Sequence, residues 1–296
     1  MTRRYRFVTV DVFTDTRFGG NPLAVFPDAE GLADAEMQAL AAEFNLSETT
    51  FVLPPSDPAH TARVRIFNRT AEMPFAGHPN VGTGWVLAQE GRDSGGLLLF
   101  EEIAGLVEVR VLREGGAVTG ARISAPQPLS TGAEVAPELV AACVGLQPSA
   151  LLTGAHRPIV ASVGNSFVIA EVAPDALPRA VPDLAAFRRA APGVPELGPG
   201  RLPIYLYARD GARLRARMFS PLSGTVEDAA TGSAATPLAA LLLRLSGQEC
   251  AEWDIVQGVE MGRPSLLRTS AWQTDRGIRA AVAGGCVRVL QGEAEL

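Results

Sequence analysis

A handful of residues have the types and spacing to do chemistry. Glu48 lies in Asn45-Leu-Ser-Glu48-Thr-Thr50, where a predicted helix gives way to a strand. The negative end of a helix disfavours the charged form of a nearby carboxylate, which suits a group that must both take and return a proton. The same residue also reads as an exposed turn glutamate in a field screened by water. His78 follows Gly77 at a predicted helix start, where the ring could exchange a proton or simply cap and pack. Asp228, in Val226-Glu-Asp228-Ala-Ala-Thr-Gly232, precedes a second helix start, where a cap is the alternative role. Its neighbour Glu227 reads as a solvated turn residue. Gly77 and Gly232 allow backbone to approach a ligand closely, and Ser233 adds either a hydroxyl or an N-cap. A helix start offers N–H groups and a partial positive charge, so two of them could hold an anionic substrate. None of these residues carries a function alone.

These residues must be positioned by alternating strands and helices. Tyr5–Phe13, Leu23–Phe26, Thr49–Leu53 and Arg63–Phe67 read as strands, with a helical stripe over Ala33–Phe44. Pro79–Gln89 reads as helix, and three strand-like stretches follow at Leu97–Phe100, Leu106–Leu112 and Ala117–Ser124. Ala125-Pro-Gln-Pro128 breaks the pattern and marks a crossing between domains. Beyond it, Pro137–Val144 and Ser233–Leu245 read as helices. Val160–Val163, Phe167–Val172, Arg201–Tyr207 and Leu214–Phe219 read as strands, as does the C-terminal stretch. Pro174–Gly200 is expected to hold one short helix with loops.

The most informative pattern is an internal echo. Gly20-Asn-Pro-Leu-Ala-Val25 returns as Gly164-Asn-Ser-Phe-Val-Ile169, and Arg63-Val-Arg-Ile-Phe67 as Arg215-Ala-Arg-Met-Phe219. The offsets, 164 − 20 = 144 and 219 − 67 = 152, are about half of the 296 residues. Two elements recurring in the same order point to a duplicated domain, although short strings can also match by chance. A duplicated domain is expected to face its twin across a cleft, where ligands usually bind.

Composition removes whole classes of chemistry. All 26 cationic side chains are arginine, and there is no lysine. A lysine Schiff base, a P-loop hydrolase and a protein-kinase site are thereby excluded. The net charge of −6, with no arginine run longer than two, argues against nucleic acid as the main partner. Three scattered cysteines and three scattered histidines suggest neither a disulfide framework nor a metal site. Asp11 interrupts the first apolar run, so it reads as a strand rather than a signal peptide. Pro237–Leu245, the longest apolar helical stretch, is too short to span a bilayer. A cytoplasmic protein with no membrane partner is expected.

GNPLAVF, NLSETTFVL, RIFNRTAEMPFAGHPNVG, RMFSPLSGTVEDAATGSAATPLA and QGVEMGRPS occur in this order between about Tyr5 and Ser265. Together they resemble the phenazine-biosynthesis isomerase (PhzF-like) family. The resemblance implies an α+β chain with a diaminopimelate-epimerase-like fold. Each of its two similar domains would be a curled, mostly antiparallel sheet around a central helix, with the active site in the cleft between them. The expected boundaries are residues 1–125 and 126–282, with a strand over about 283–296 returning to the first domain.

The resemblance further implies isomerisation of trans-2,3-dihydro-3-hydroxyanthranilate or a related small cyclic carboxylate, with no metal or organic cofactor. Glu48 would move a proton from C3 of the ring toward another carbon on the same face. His78 and Asp228 would shape polar contacts and assist proton transfer. Backbone near Gly77 and Gly232, with Ser233, would hold the carboxylate. The family also implies a homodimer. Two-cysteine epimerisation, used by relatives of this fold, is excluded because neither glycine turn contains a cysteine. Arg69 stands where the family more often has proline, and is expected to alter the rim of the cleft. A different amino or hydroxy acid substrate, or a non-catalytic binding protein, are the competing readings. The joint presence of Glu48, His78 and Asp228 favours an enzyme, since a pure binder needs no base.

Overall fold

The computed structural model describes residues 2–296. The chain forms two compact units. One runs to Ser124 and takes in Ala283–Leu296; the other is Ala125–Val282.

In the first unit, β1 (Arg4–Val12) pairs antiparallel with β2 (Asn21–Phe26). Helix α1 (Asp34–Phe44) then crosses over to β3 (Glu48–Leu53), which lies parallel to β2. Strand β4 (Ala62–Phe67) returns antiparallel to β3 and pairs with the two-residue β5 (Glu72–Met73). Helix α2 (Gly77–Gln89) follows directly. Strand β6 (Leu97–Glu102) is parallel to β4, and β7 (Gly105–Glu114) and β8 (Ala117–Ser124) continue as an antiparallel meander.

The second unit opens with β9 (Ser130–Glu134), α3 (Pro137–Cys143) and the short β10 (Leu151–Leu152). It then repeats the first unit step by step. Strands β11 (Ile159–Ser162) and β12 (Ser166–Val172) form an antiparallel pair. A crossover containing α4 (Leu184–Ala190) leads to β13 (Ile204–Asp210), parallel to β12. Strand β14 (Arg213–Ser220) is antiparallel to β13 and carries the short β15 (Thr225–Asp228). Helix α5 (Gly232–Ser246) follows, then β16 (Cys250–Gln257), parallel to β14. Strand β17 (Ser265–Thr274) is antiparallel to β16. The last strand, β18 (Gly277–Glu295), begins in this unit and ends in the first, where it pairs with β1 from Val12↔Cys286 to Arg4↔Glu295. The internal echo therefore reflects a repeated α+β topology.

Each unit is organised by one buried helix. Residues Gly77–Ala88 of α2 are all buried, as is most of α5. A helix with no charged face, its few polar side chains bonded internally, belongs inside a core rather than on a surface. Close packing demands small residues: a Cβ on Gly82 would stand 2.6 Å from Leu23 Cδ2, and one on Gly84 2.5 Å from Val109 Cγ1. Phe26, Phe51 and Phe67 form a second core beside α1, with Phe26 and Phe51 stacked at 4.9 Å. That layer fixes β3, the strand that opens with Glu48.

Both central helices begin earlier than their sequences suggest, at Gly77 rather than Pro79 and at Gly232 rather than Ser233. Proline is tolerated in a first helical turn because its missing N–H would have no partner there. Strands β5, β9, β10 and β15 have no signature in the sequence; they are short or polar, and their pairing comes from neighbouring strands. Over Pro174–Gly200 the expected short helix is α4, accompanied by 3-10 turns such as Leu177–Arg179. Among the described residues, no helix is long and apolar enough to cross a membrane.

Candidate active site

Helix α1 ends at Asn45, whose left-handed backbone (φ 52°) redirects the chain toward β3. Glu48 opens that strand opposite Leu23 of β2. Its side chain is largely buried and faces His78 of α2, with Oε2 3.4 Å from Nε2. The two elements are locked two residues further on, where Thr50 and Thr83 share a buried hydroxyl contact of 2.8 Å. Glu48 is thus no exposed turn residue.

His78 sits inside the first turn of α2 and is 5% exposed. The N-cap is Ala76, which offers no side-chain cap, so His78 does not cap the helix. Its Nδ1 lies 3.4 Å from Asn21 Nδ2, an amide donor whose Oδ1 accepts from the Ser47 hydroxyl. An amide donor requires Nδ1 to be the acceptor, which places the ring proton on Nε2, toward Glu48. Burial lowers the His78 pKa to about 3. The short Glu48 contact is therefore a neutral N–H beside a carboxyl group rather than an ion pair. Its geometry falls short of a formed hydrogen bond.

In the second unit, Asp228 ends β15 and is 9% exposed. It accepts a 2.6 Å hydrogen bond from the Thr231 hydroxyl. Thr231 is the N-cap of α5, yet its hydroxyl serves Asp228 and makes no cap bond. Neither Asp228 nor Ser233 is a cap. Ser233 is the second residue of the helix and half-buried. Pro237, four residues on, has no N–H to give the Ser233 carbonyl.

Gln257 organises this turn. Its Nε2 donates to the Asp228 carbonyl at 2.8 Å and to Thr231 Oγ1 at 3.0 Å. Its Oε1 accepts from Thr231 N–H at 3.2 Å and from the Tyr205 hydroxyl at 3.1 Å. Burial, with a smaller effect of the Asp228 charge, pushes the Tyr205 phenol up, so it remains a donor. Ser265 Oγ donates to the Ala229 carbonyl at 3.0 Å, and Gly258 comes so close that a Cβ there would stand 2.5 Å from Ala229 O.

Sequence reasoning missed Asn21 and Gln257. Both lie inside motif blocks, GNPLAVF and QGVEMGRPS, which were the available signal. It also missed Glu102 and Asn80. The Glu102 carboxyl is buried against Asn80, and burial raises its pKa to about 8. Asn80 Nδ2 donates to the Ala76 carbonyl at 3.0 Å, bracing the turn that carries Gly77 and His78. Glu227 is a correction: Arg217 grips it with two bonds of 2.7 and 2.9 Å, and its side chain is only 15% exposed. The sequence around it is polar, and nothing local betrays a partner ten residues upstream. Arg69 is half-buried on the β4–β5 turn, whose Asn68 side chain accepts from the backbone of Thr70 and Ala71.

The cysteines take no part in either turn. Cys143 and Cys286 are buried and Cys250 is exposed; burial pushes the Cys143 thiol up to about 12. Among the described residues, no three His, Cys, Asp or Glu side chains are grouped to hold a metal ion. The first unit thus presents one carboxyl group beside a neutral imidazole at a helix start. The second presents an aspartate wired to another helix start.

The sequence profile of the phenazine biosynthesis-like protein family matches residues 10–292. The trans-2,3-dihydro-3-hydroxyanthranilate isomerase of Pseudomonas aeruginosa is 38% identical, over 99% of this chain and 100% of its own. The crystal structure of a Bacillus anthracis phenazine biosynthesis protein of the PhzF family superposes with a TM-score of 0.87 at 25% identity, covering 99% of both chains. A hydroxyproline epimerase from Agrobacterium vitis shares the fold, with a TM-score of 0.66 at 12% identity over 99% of this chain and 93% of that one. The fold is of the diaminopimelate-epimerase type.

Proposed function

Because this chain belongs to the phenazine biosynthesis-like protein family and is an isomerase acting on a small molecule, we propose that it shifts a proton within a small cyclic carboxylate. Our preferred substrate is trans-2,3-dihydro-3-hydroxyanthranilate or a close relative in phenazine-type metabolism. The observation that carries this reading is the contact of Glu48 with the neutral His78 ring at a buried helix start.

Glu48 takes the proton from C3 of the ring, and the C–H electron pair moves into the conjugated system. The same carboxyl group returns the proton to another ring carbon on that face, so substrate and product are isomers. One base that returns its proton suffices, so the reading needs no metal or organic cofactor. His78, with its proton on Nε2, orients the Glu48 carboxyl and hydrogen-bonds to charge that develops on the substrate. Asp228 accepts from, or donates to, the substrate's polar groups. Backbone N–H groups near Gly77 and Gly232, with the Ser233 hydroxyl, hold the carboxylate; neither helix start is capped by a side chain. A homodimer in the cytoplasm completes the proposal.

The test is to incubate the purified protein with trans-2,3-dihydro-3-hydroxyanthranilate in deuterated water. Conversion, followed by absorbance, supports the reading, with protium kept at the new C–H in the molecules whose Glu48 proton returns before it exchanges with solvent. No spectral change and no exchange would overturn the substrate. Arg69 gives one reason to keep a second reading, the same chemistry on another amino or hydroxy acid. That reading predicts conversion in a panel of such acids instead.

A further inference from the structure

One device occurs twice. In β4, the Arg65 guanidinium forks onto Glu72 with bonds of 2.7 and 2.6 Å, and lies 5.1 Å from the ring centre of Phe67. In β14, Arg217 forks onto Glu227 with bonds of 2.7 and 2.9 Å, and lies 4.9 Å from the ring centre of Phe219. Each glutamate stands the same distance before the glycine that starts a central helix: 77 − 72 = 5 and 232 − 227 = 5. The arginine side chains are only 12% and 7% exposed. A buried ion pair must overcome a desolvation cost, so similar burial alone does not explain one in each unit. A planar fork does fix direction as well as distance.

The remaining nitrogen of each arginine reaches the crossover of its own unit. Arg65 Nη1 binds Asp34, the first residue of α1, at 2.5 Å. That arm is solvated and weak, but Gln38 of α1 also donates to the Asn68 carbonyl at 2.9 Å. Helix α1 leads into Glu48, and β5 leads into Gly77 and His78. Arg65 thus joins the two segments that deliver the carboxyl group and the ring. Arg217 Nη1 donates to the carbonyls of Leu177 and Ala180 at 3.0 and 2.8 Å, in the crossover that leads to β13. The strand following that crossover carries no counterpart of Glu48, so Arg217 braces only the Gly232–Ser233 turn.

We propose that Arg65 and Arg217 are positioning residues with separable tasks, an inference that rests on the function proposed above. Arg65 sets the Gly77–His78 turn against Glu48 and so governs the proton shift. Arg217 sets the Gly232–Ser233 turn and so governs grip on the substrate carboxylate.

The test compares Arg65→Lys with Arg217→Lys, because lysine keeps the charge and loses the fork. Arg65→Lys should lower kcat by about tenfold or more, with a smaller rise in KM than in Arg217→Lys because Gly77 supplies only part of the carboxylate grip. Arg217→Lys should raise KM by about tenfold with kcat changed by less than about threefold. Should either lysine variant fail to fold, Glu72→Gln and Glu227→Gln keep the shape and part of the fork, and should show the same split. Identical kinetic signatures in the two units, or no change in either, would overturn the proposal. Hydrogen exchange separates its failure from that of the functional reading. Even if the wild-type protein converts no dihydrohydroxyanthranilate, the amides of Phe75, Ala76, Gly77, His78 and Asn80 should exchange faster only in Arg65→Lys, and those over 229–233 only in Arg217→Lys. Without turnover, unchanged exchange or uniform loosening in both variants would overturn the clamps themselves.

Discussion

His78 presents Nε2 to Glu48 Oε2 at 3.4 Å while Asn21 Nδ2 stands 3.4 Å from its other ring nitrogen. Three strands of evidence in the sequence, a GNP turn, an NLSE turn and an AGHP helix start, thereby converge on one imidazole. Burial holds the ring neutral, so it can donate to Glu48 without carrying a charge.

That burial has a consequence for acid stability. The folded His78 pKa, about 3, lies below its ordinary 6.5, so protonation favours the unfolded chain. The contribution is intact above pH 6.5 and is lost progressively on acidification until about pH 3. Denaturant titrations of the wild type and His78→Gln across this window should show a shallower acid limb for the variant. Parallel limbs would contradict the buried neutral ring.

Glu102 predicts the opposite limb. Its folded pKa, about 8, lies above the ordinary 4.5, so the folded chain favours the protonated acid. Stability from this group is greatest below pH 4.5 and is lost as pH rises toward 8. Glu102→Gln mimics the protonated acid. It should flatten this slope and exceed the wild type at pH 8 and above by about 1–3 kcal/mol. A variant no more stable than the wild type at alkaline pH would count against it.

Gln257 supplies a third expectation. It satisfies the Asp228 carbonyl, Thr231 and Tyr205 at once. Gln257→Leu removes the bonds to the Asp228 carbonyl, the Thr231 N–H and the Tyr205 hydroxyl, at a cost of about 2–4 kcal/mol. Thermal unfolding should register that loss, and KM should rise because the Gly232 turn is no longer held. Loss of stability with unaltered KM would separate Gln257 from the site.

Gly82 tests the packing that seats the helix. An added methyl would meet Leu23 Cδ2 at 2.6 Å and Val12 Cγ2 at 2.8 Å. Gly82→Ala should destabilise by about 1–3 kcal/mol despite alanine's better helix propensity. Calorimetry showing a gain would mean that the core yields more easily than it is packed.

The repeated topology was legible because GNP/GNS and RIF/RMF mark strands β2 and β12, and β4 and β14, by composition alone. The family followed from the longer blocks. Glu48, His78 and Asp228 could be singled out because each lies beside a helix end, a local property that sequence records. Their partners were less legible. Asn21, Gln257 and the fork on Glu227 depend on pairings made across sheets, where two residues meet only after register is set. Glu227 shows the limit plainly: its flanking residues are those of a solvated turn, and only the approach of Arg217 from β14 removes it from water. Glu102 is likewise polar at the end of a strand, and its burial against Asn80 is decided by where α2 lies.

The central claim is that Glu48 carries the proton. The measurement is the turnover of trans-2,3-dihydro-3-hydroxyanthranilate by Glu48→Gln, a variant that keeps the shape and loses the base. A fall in kcat of about a thousandfold or more, with KM little changed, is predicted; undiminished turnover would contradict it.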